Sequence, residues 1–219
     1  MSGLFETIRV REGTVPFLAE HLARLSSGVG QIGLPALAPD VAARLRGQAR
    51  SGEAVVRLTA DASGCHLEAR AVPEPKPMRI VISGTLHEPY PLKRTARGVF
   101  ERARERVVPY RADEVLLLTA EGWLAEGCIT SVFFWTADTL CTPALDLGIL
   151  PGIGRARVLA MAAERRLPVR EGRFRSDEFA GLPLFLVNAV RGIVDVTHHG
   201  EWRPPREDRT ARLAAAFWG

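Results

Sequence analysis

The alternation of apolar and polar residues predicts a strand, two helices and a hairpin in the first third of the chain. Residues 4–10 alternate as a half-buried strand does, whereas the apolar residues of 17–29 recur every three or four positions, as on one helix face. A second helix is predicted at 38–50. Two runs of β-type residues, 53–60 and 65–72, are separated by a short turn and predict a hairpin.

A proline-rich segment divides the chain. Three of the five residues in 73–77 are proline, and a segment of this kind is stiff and extended. We therefore expect a small N-terminal domain over residues 1–73 and a larger domain over residues 78–219. The sequence contains no internal repeat and no low-complexity tract that would divide it further.

The second part of the chain combines short strands with helices. We predict strands at 78–83, 114–119, 123–126, 131–136, 139–142, 184–188 and 192–196, and helices at 94–107, 154–166 and 209–218. A glycine-rich turn at 147–155 opens the second of these helices. The two parts together predict an α+β fold.

Composition excludes several classes of protein. Of the 219 residues, 47% are hydrophobic and 25% are charged, which are ordinary values for a globular chain able to bury a core. No apolar run approaches the roughly 20 residues of a membrane span, and the first residues lack the pattern of a signal peptide. The three cysteines form no C-x-x-C pair. We expect a cytoplasmic protein without membrane contact.

The charge pattern argues against a nucleic-acid partner. The net charge is +4, but the arginines alternate with acids, as in residues 101–106, which is typical of a solvated helix face. His198 and His199 have no third ligand at metal-site spacing, so no metal site is expected.

Lysine is rare in this sequence. Of 29 basic residues only two are lysines, Lys76 and Lys93, and the others are arginines. A lysine kept among so many arginines is a candidate for chemistry that arginine does not perform, such as a Schiff base with a carbonyl compound. A solvated surface lysine is the alternative for either residue.

Three further features are candidates for binding a phosphorylated cofactor. Glu126 ends a strand among apolar residues, where an acid is either exposed at a hairpin edge or buried beside a cation such as a protonated pyridine nitrogen. The glycine-rich helix entry at 148–155 could offer backbone N–H groups to a phosphate, or be an ordinary turn. Arg24 could grip a phosphate or lie on the surface.

The order of the motifs along the chain is more specific than any one of them. The sequence contains F-E-T-x-R at 5–9, H-L-x-R-L at 21–25, L-K-x-x-x-R at 92–97, D-E-V-L-L-L at 113–118, E-G-x-x-x-S-V-F at 126–133, T-P at 142–143, G-I-L-P-G-I-x-R at 148–155 and V-N-A-V at 187–190. This series resembles the class IV aminotransferases, which are fold-type IV enzymes dependent on pyridoxal 5'-phosphate (PLP). The family includes branched-chain and D-amino-acid transaminases and 4-amino-4-deoxychorismate lyase.

The resemblance implies a homodimer of two-domain subunits with PLP in the cleft between the small N-terminal α/β domain and the larger domain. It identifies Lys93 as the catalytic lysine that binds PLP covalently and Glu126 as the acid on the pyridine nitrogen. The residues expected around the phosphate are Arg24, Ile153, Gly154 and Ala189. The residues expected near the substrate are Thr7, Arg9, Arg97 and Asn188, and residues 5–9 would form a wall of the substrate site.

Within the family, two segments favour the lyase branch. Branched-chain transaminases typically have E-G-x-R where this chain has E-T-x-R at 6–9, and G-T where it has Asn188 and Ala189. The expected activity is therefore release of pyruvate from 4-amino-4-deoxychorismate to give 4-aminobenzoate, a step of folate synthesis. A branched-chain or D-amino-acid transaminase is the alternative.

Departures from the family pattern leave a third possibility, a non-catalytic member of the scaffold. Ser131 stands where the family has asparagine, and Gly154 and Ala189 stand where hydroxyl-bearing residues are common. The segment that usually precedes F-E-T is also short. The resemblance implies that these changes weaken PLP binding, whereas Lys93, Glu126 and Arg24 keep the main contacts.

Overall fold

The structure, a computed structural model, describes residues 3–11, 13–49, 52–106 and 108–219. The chain forms two compact units. Unit 1 comprises the described residues of Met1–Glu74 together with Leu92–Ala96, and unit 2 comprises Pro75–Pro91 and the described residues of Arg97–Gly219. No helix in the described ranges is both long and apolar enough to cross a membrane.

Unit 1 is a three-stranded antiparallel sheet with two helices on one face. Its elements are β1 (Leu4–Val10), α1 (Leu18–Gln31), α2 (Val41–Ala49), β2 (Ala54–Asp61) and β3 (Gly64–Arg70), and the strand order is β1-β2-β3. Ile8, Leu25, Leu45 and Leu58 belong to the core between the sheet and the helices. Its strands and helices all lie within two or three residues of the predicted bounds.

The alternation along β1 gives its two faces different chemistry. Leu4, Ile8 and Val10 contribute to the core of unit 1. Because successive side chains of a strand point to opposite faces, Glu6 lies on that face and the odd-numbered residues 5–9 lie on the other.

The segment Leu92–Ala96 belongs to unit 1, although the linear division of the sequence placed it in the second domain. β1 lies at the edge of its sheet, and its free edge pairs with this segment. The Phe5 N–H donates to the Lys93 carbonyl at 2.9 Å, and the Thr95 N–H donates to the Gly3 carbonyl at 2.8 Å. This pairing fixes the backbone of Lys93 beside β1.

Unit 2 is built on a mixed eight-stranded sheet with the order β6-β5-β4-β11-β10-β7-β8-β9. The strands are β4 (Met78–Leu86), β5 (Glu114–Leu118), β6 (Leu124–Gly127), β7 (Ser131–Thr136), β8 (Thr139–Pro143), β9 (Val169–Gly172), β10 (Leu184–Asn188) and β11 (Gly192–His199). The helices are α3 (Gly98–Arg106), α4 (Ile153–Glu164), α5 (Ser176–Phe179) and α6 (Asp208–Ala216). Short 3-10 turns occur at Val108–Tyr110 and Leu145–Leu147.

Apolar clusters stabilise unit 2, and two of them lie among its described residues. One contains Phe134, Phe174 and Phe179, and the other contains Phe100 of α3 and Leu117 of β5. The mixed α+β fold is confirmed. Elements β9 and α5 were not predicted from the sequence. Helix α3 begins at Gly98 rather than at residue 94, because the residues before it pair with β1.

Candidate active site

Glu126 is a buried carboxylate near the end of β6. Its side chain is only 7% exposed. Oε1 lies 3.0 Å from Nε2 of His87 and accepts the N–H of Leu150 at 3.2 Å. Within the part of the chain that the structure describes, Oε2 accepts no hydrogen bond. The carboxylate is therefore oriented by the hydrogen bonds to Oε1, and Oε2 can accept a hydrogen bond from a bound group.

His87 is a site residue that sequence reasoning missed. It follows β4 directly, its N–H donates to the Leu118 carbonyl at 2.8 Å, and its ring packs edge-on against Phe100. The buried imidazole orients Glu126 by acting as a donor from Nε2. No motif marks this histidine, because its burial arises only when β4 and β5 pair.

The N-terminus of α4 makes a close approach to the hairpin between β10 and β11. The first N–H groups of a helix, here those of Ile153 and Gly154, have no partner within the helix and suit an anion. A Cβ atom on Gly154 would lie 2.9 Å from the Cα atom of Asn188, which precedes Ala189. Three of the four residues predicted for the phosphate, Ile153, Gly154 and Ala189, are thus close together within unit 2, and position 154 has no room for a side chain.

Ser131 borders the same helix N-terminus. It opens β7 and is buried, and a Cβ atom on Gly152, the residue before α4, would lie 2.8 Å from its hydroxyl oxygen. The start of β7, which follows the loop after Glu126, therefore packs against the N-terminus of α4.

Two residues predicted to contact the substrate hold backbone groups within unit 2. Asn188 accepts the N–H groups of Val190 and Arg191 through Oδ1, at 3.0 and 2.8 Å, and donates from Nδ2 to the Ile129 carbonyl at 3.2 Å. Arg97 donates to the Cys128 carbonyl, and its guanidinium lies 4.5 Å from the centre of the Phe100 ring. Their contact with substrate stays a prediction.

Lys93 lies beside the face of β1 that carries the odd-numbered residues. Its Nζ is 4.9 Å from the centre of the Phe5 ring. Thr7 and Arg9 share that face, and Arg9 donates to Glu53 at 2.6 Å. The amine of Lys93 is thus placed next to the wall that the sequence predicted for the substrate, within unit 1.

Arg24 belongs to a buried ion-pair network. It donates to Glu6 from both Nε, at 2.8 Å, and Nη2, at 2.6 Å, and Nδ1 of His21 lies 2.8 Å from the same carboxylate. Burial raises the pKa of Glu6, but the hydrogen bonds from His21 and Arg24 outweigh burial and lower it to about 2. A bidentate pair of this kind fixes the plane of the guanidinium.

His21 is neutral in this network. Burial lowers its pKa, the Glu6 carboxylate opposes this effect, and the positive charges of Arg24 and Lys93 add to it. The Nδ1–H then donates to Glu6, and the buried Nε2 has no hydrogen-bond partner in the described residues.

Replacing Glu6 by glutamine is expected to destabilise the protein and to flatten its acid dependence. A carboxyl with a folded pKa near 2 and an ordinary value of 4.5 stabilises the fold above pH 4.5, by about 3 kcal/mol, and loses this effect as the pH falls toward 2. The lowered pKa of His21 also decreases the free energy of unfolding on acidification, because the unfolded chain binds a proton at this histidine more readily than the folded protein does.

Urea unfolding followed by circular dichroism at pH 7, 5, 4 and 3 measures this dependence. Circular dichroism is used because all four tryptophans lie in unit 2. Glu20→Gln, an exposed position on α1, is the control. A Glu6→Gln variant with the wild-type slope between pH 5 and 3 would contradict the assignment.

Comparison with known proteins identifies the family of this chain. The family model described as "Amino-transferase class IV" matches residues 3–199. A probable branched-chain-amino-acid aminotransferase of Thermotoga maritima is 34% identical over 122 residues, which cover 53% of this chain and 42% of the relative. An aminodeoxychorismate lyase of Bacillus subtilis is 32% identical over 85 residues, covering 38% and 29%. The matched regions thus span less than half of each of these two relatives.

Solved structures share the whole fold. The 4-amino-4-deoxychorismate lyase of Pseudomonas aeruginosa superposes with a TM-score of 0.84 at 25% identity, covering 98% of this chain and 89% of that one. The resemblance read from the motifs is therefore confirmed at the level of the family. The chain belongs to the class IV aminotransferases, a family of PLP-dependent enzymes.

Proposed function

We propose that this protein is a PLP-dependent lyase that converts 4-amino-4-deoxychorismate to 4-aminobenzoate and pyruvate. The observation that carries the PLP assignment is the buried Glu126 carboxylate, which is oriented through Oε1 and open at Oε2. The lyase assignment is supported by Asn188 and Ala189 in the hairpin beside α4, where branched-chain transaminases typically have G-T. A homodimer and a cytoplasmic location are part of the same proposal.

The described residues fit the cofactor. A buried carboxylate stabilises a protonated pyridine nitrogen by charge, since both groups are removed from water. The helix N-terminus at Ile153 and Gly154 offers N–H groups to a phosphate, and the absent side chain of Gly154 allows close packing of the backbone. Arg24, held flat by Glu6, presents a guanidinium suited to phosphate oxygens.

Each residue then has a defined task. When bound, PLP supplies an electron sink. Lys93 would hold the cofactor covalently, and its amine would move the proton from the substrate carbon that bears the amino group. The overall reaction breaks the bond between the ring carbon and the enolpyruvyl oxygen, and the enolpyruvate takes up a proton to become pyruvate. Arginines such as Arg9 suit a substrate with two carboxylates.

A class IV transaminase is the second candidate function. It is favoured by the 34% identity to the Thermotoga maritima aminotransferase, which is the higher of the two identities to curated relatives quoted above. A non-catalytic member is the third, because Ser131, Gly154 and Ala189 supply fewer groups to the cofactor than the family pattern. The backbone of Asn188 leaves no room for a larger residue at Gly154, so this departure is built into the packing.

Purified protein mixed with PLP is expected to develop a pH-dependent visible band and to release pyruvate from 4-amino-4-deoxychorismate. The lyase has no co-substrate, so pyruvate should equal 4-aminobenzoate in amount without 2-oxoglutarate. Amino-group transfer to 2-oxoglutarate, without pyruvate release, would instead identify a transaminase. Wild-type protein that develops no band at saturating PLP would contradict the proposal and favour the non-catalytic member.

A further inference from the structure

Glu114 is a fully buried carboxylate without a role in the chemistry above. It opens β5 and accepts four hydrogen bonds inside unit 2. Oε1 accepts the N–H groups of Val115 and Cys128 at 2.9 and 3.1 Å, and Oε2 accepts the Ile129 N–H and the Thr130 hydroxyl at 3.0 and 2.8 Å. Three of these four donors belong to one segment, residues 128–130. Both oxygens are therefore committed to that segment.

The carbonyl side of the same segment is held as well. Arg97 donates to the Cys128 carbonyl, and Asn188 donates from Nδ2 to the Ile129 carbonyl at 3.2 Å. The peptide groups of Cys128 and Ile129 are thus bound at N–H and at C=O. Arg97 and Asn188 thus bind the carbonyl groups of the same two residues whose N–H groups bind Glu114.

Packing brings Glu114 against the residue that follows Glu126. The Gly127 N–H donates to the Thr130 carbonyl at 2.9 Å and closes the loop into a turn. A Cβ atom on Gly127 would lie 3.0 Å from Oε2 of Glu114. The Glu114 carboxylate therefore packs closely against Gly127, which one peptide bond joins to Glu126.

We propose that Glu114 is a positioning residue, which fixes the direction of the Glu126 carboxylate by clamping residues 127–130. This inference rests on the proposed function, because Glu126 needs a fixed direction only if it binds the pyridine nitrogen. None of the four hydrogen bonds to Glu114 comes from Glu126 or from a predicted cofactor contact. It acts through the loop, in which Arg97 and Asn188 supply the opposing hydrogen bonds.

A carboxylate suits this position better than an amide. Burial raises the pKa of Glu114, and the N–H and hydroxyl donors around it oppose this rise without cancelling it. All four partners act as donors to its oxygens. In Glu114→Gln, the amide NH₂ must face at least one backbone N–H. If the amide oxygen takes the place of Oε1, the Thr130 hydroxyl can rotate to accept, and only the Ile129 N–H loses its partner. The variant therefore loosens one point of the clamp and keeps most of the fold.

The test compares PLP binding in wild type, Glu114→Gln, Thr130→Val and Glu101→Gln, an exposed position on α3. The apparent Kd and the pH midpoint of the visible band are measured, together with the melting temperature of each cofactor-free protein. We expect Glu114→Gln to weaken PLP binding about tenfold, as for a buried donor without a partner. Thr130→Val should have a smaller effect in the same direction, and Glu101→Gln none.

The pH midpoint separates positioning from stability. A misdirected Glu126 holds less positive charge on the ring, so the nitrogen of Lys93 is protonated more easily and the band titrates at a higher pH. A lower melting temperature with unchanged Kd and midpoint would overturn the inference. If Glu114→Gln does not fold, the same two readouts on Thr130→Val decide, and wild-type values there overturn it. Wild-type protein without a band overturns the proposed function, and the inference falls with it.

Discussion

Lys93→Ala is expected to abolish the pH-dependent visible band and to reduce turnover by at least about 10³-fold. In the proposed function the amine is both the covalent attachment point and the group that moves the substrate proton, and acid–base catalysis alone typically contributes 10²–10⁴-fold. Nothing else in the described part of unit 1 can replace it as a primary amine, since Lys76, in unit 2, is the other lysine of the sequence.

Lys76→Ala is the matched control. Lys76 is exposed and pairs with Asp113 at 2.6 Å, so its loss should leave the band and the turnover within about twofold of wild type. Lys93→Arg adds a second test, because it keeps a positive charge near Phe5 without a nucleophilic amine. We expect it to lack the band as Lys93→Ala does. A band that survives in either Lys93 variant, or that disappears in Lys76→Ala, would refute the assignment.

Local pattern was sufficient to predict most of the fold. The alternating residues of β1 and the periodic apolar residues of α1 are visible in the sequence, and both elements occur in the structure close to the predicted bounds. The segment 92–96 could not be placed in this way. Its hydrogen bonds are to β1, about ninety residues earlier, and no local signal reports which strand edge a loop will pair with.

The candidate site residues also fall into those that a local motif marks and those that only long-range pairing brings together. Glu126 and the glycine-rich helix entry belong to motifs, so the resemblance identified them. His87 and Glu114 act through burial and through loops that come together only when β4, β5 and β6 pair. Glu114 even lies within the D-E-V-L-L-L motif, yet the spacing of residues indicates only a strand start. Three of its four donors come from residues 128–130, which follow the next strand along the chain.

Glu126→Gln should lower kcat by about 10²–10³-fold, which is the usual cost of removing one preorganised electrostatic contact. The hydrogen bonds of Glu126 predict the orientation of the glutamine amide in this variant. The donors His87 and Leu150 both face Oε1, so the amide oxygen must take that position and the NH₂ must take the position of Oε2. The variant would then offer a donor where the carboxylate offers an acceptor, and it would favour the unprotonated form of a pyridine nitrogen bound there.

His87→Asn tests the same contact from the other side. Glu126 keeps its charge and the Leu150 N–H but loses one donor, so we expect a decrease of about tenfold, between wild type and Glu126→Gln. Steady-state kinetics and the pH midpoint of the visible band are measured for all three proteins. The midpoint should rise in the order wild type, His87→Asn, Glu126→Gln, because the same loss of ring charge underlies both variants. Glu126→Gln with a kcat within twofold of wild type would mean that another group protonates the ring.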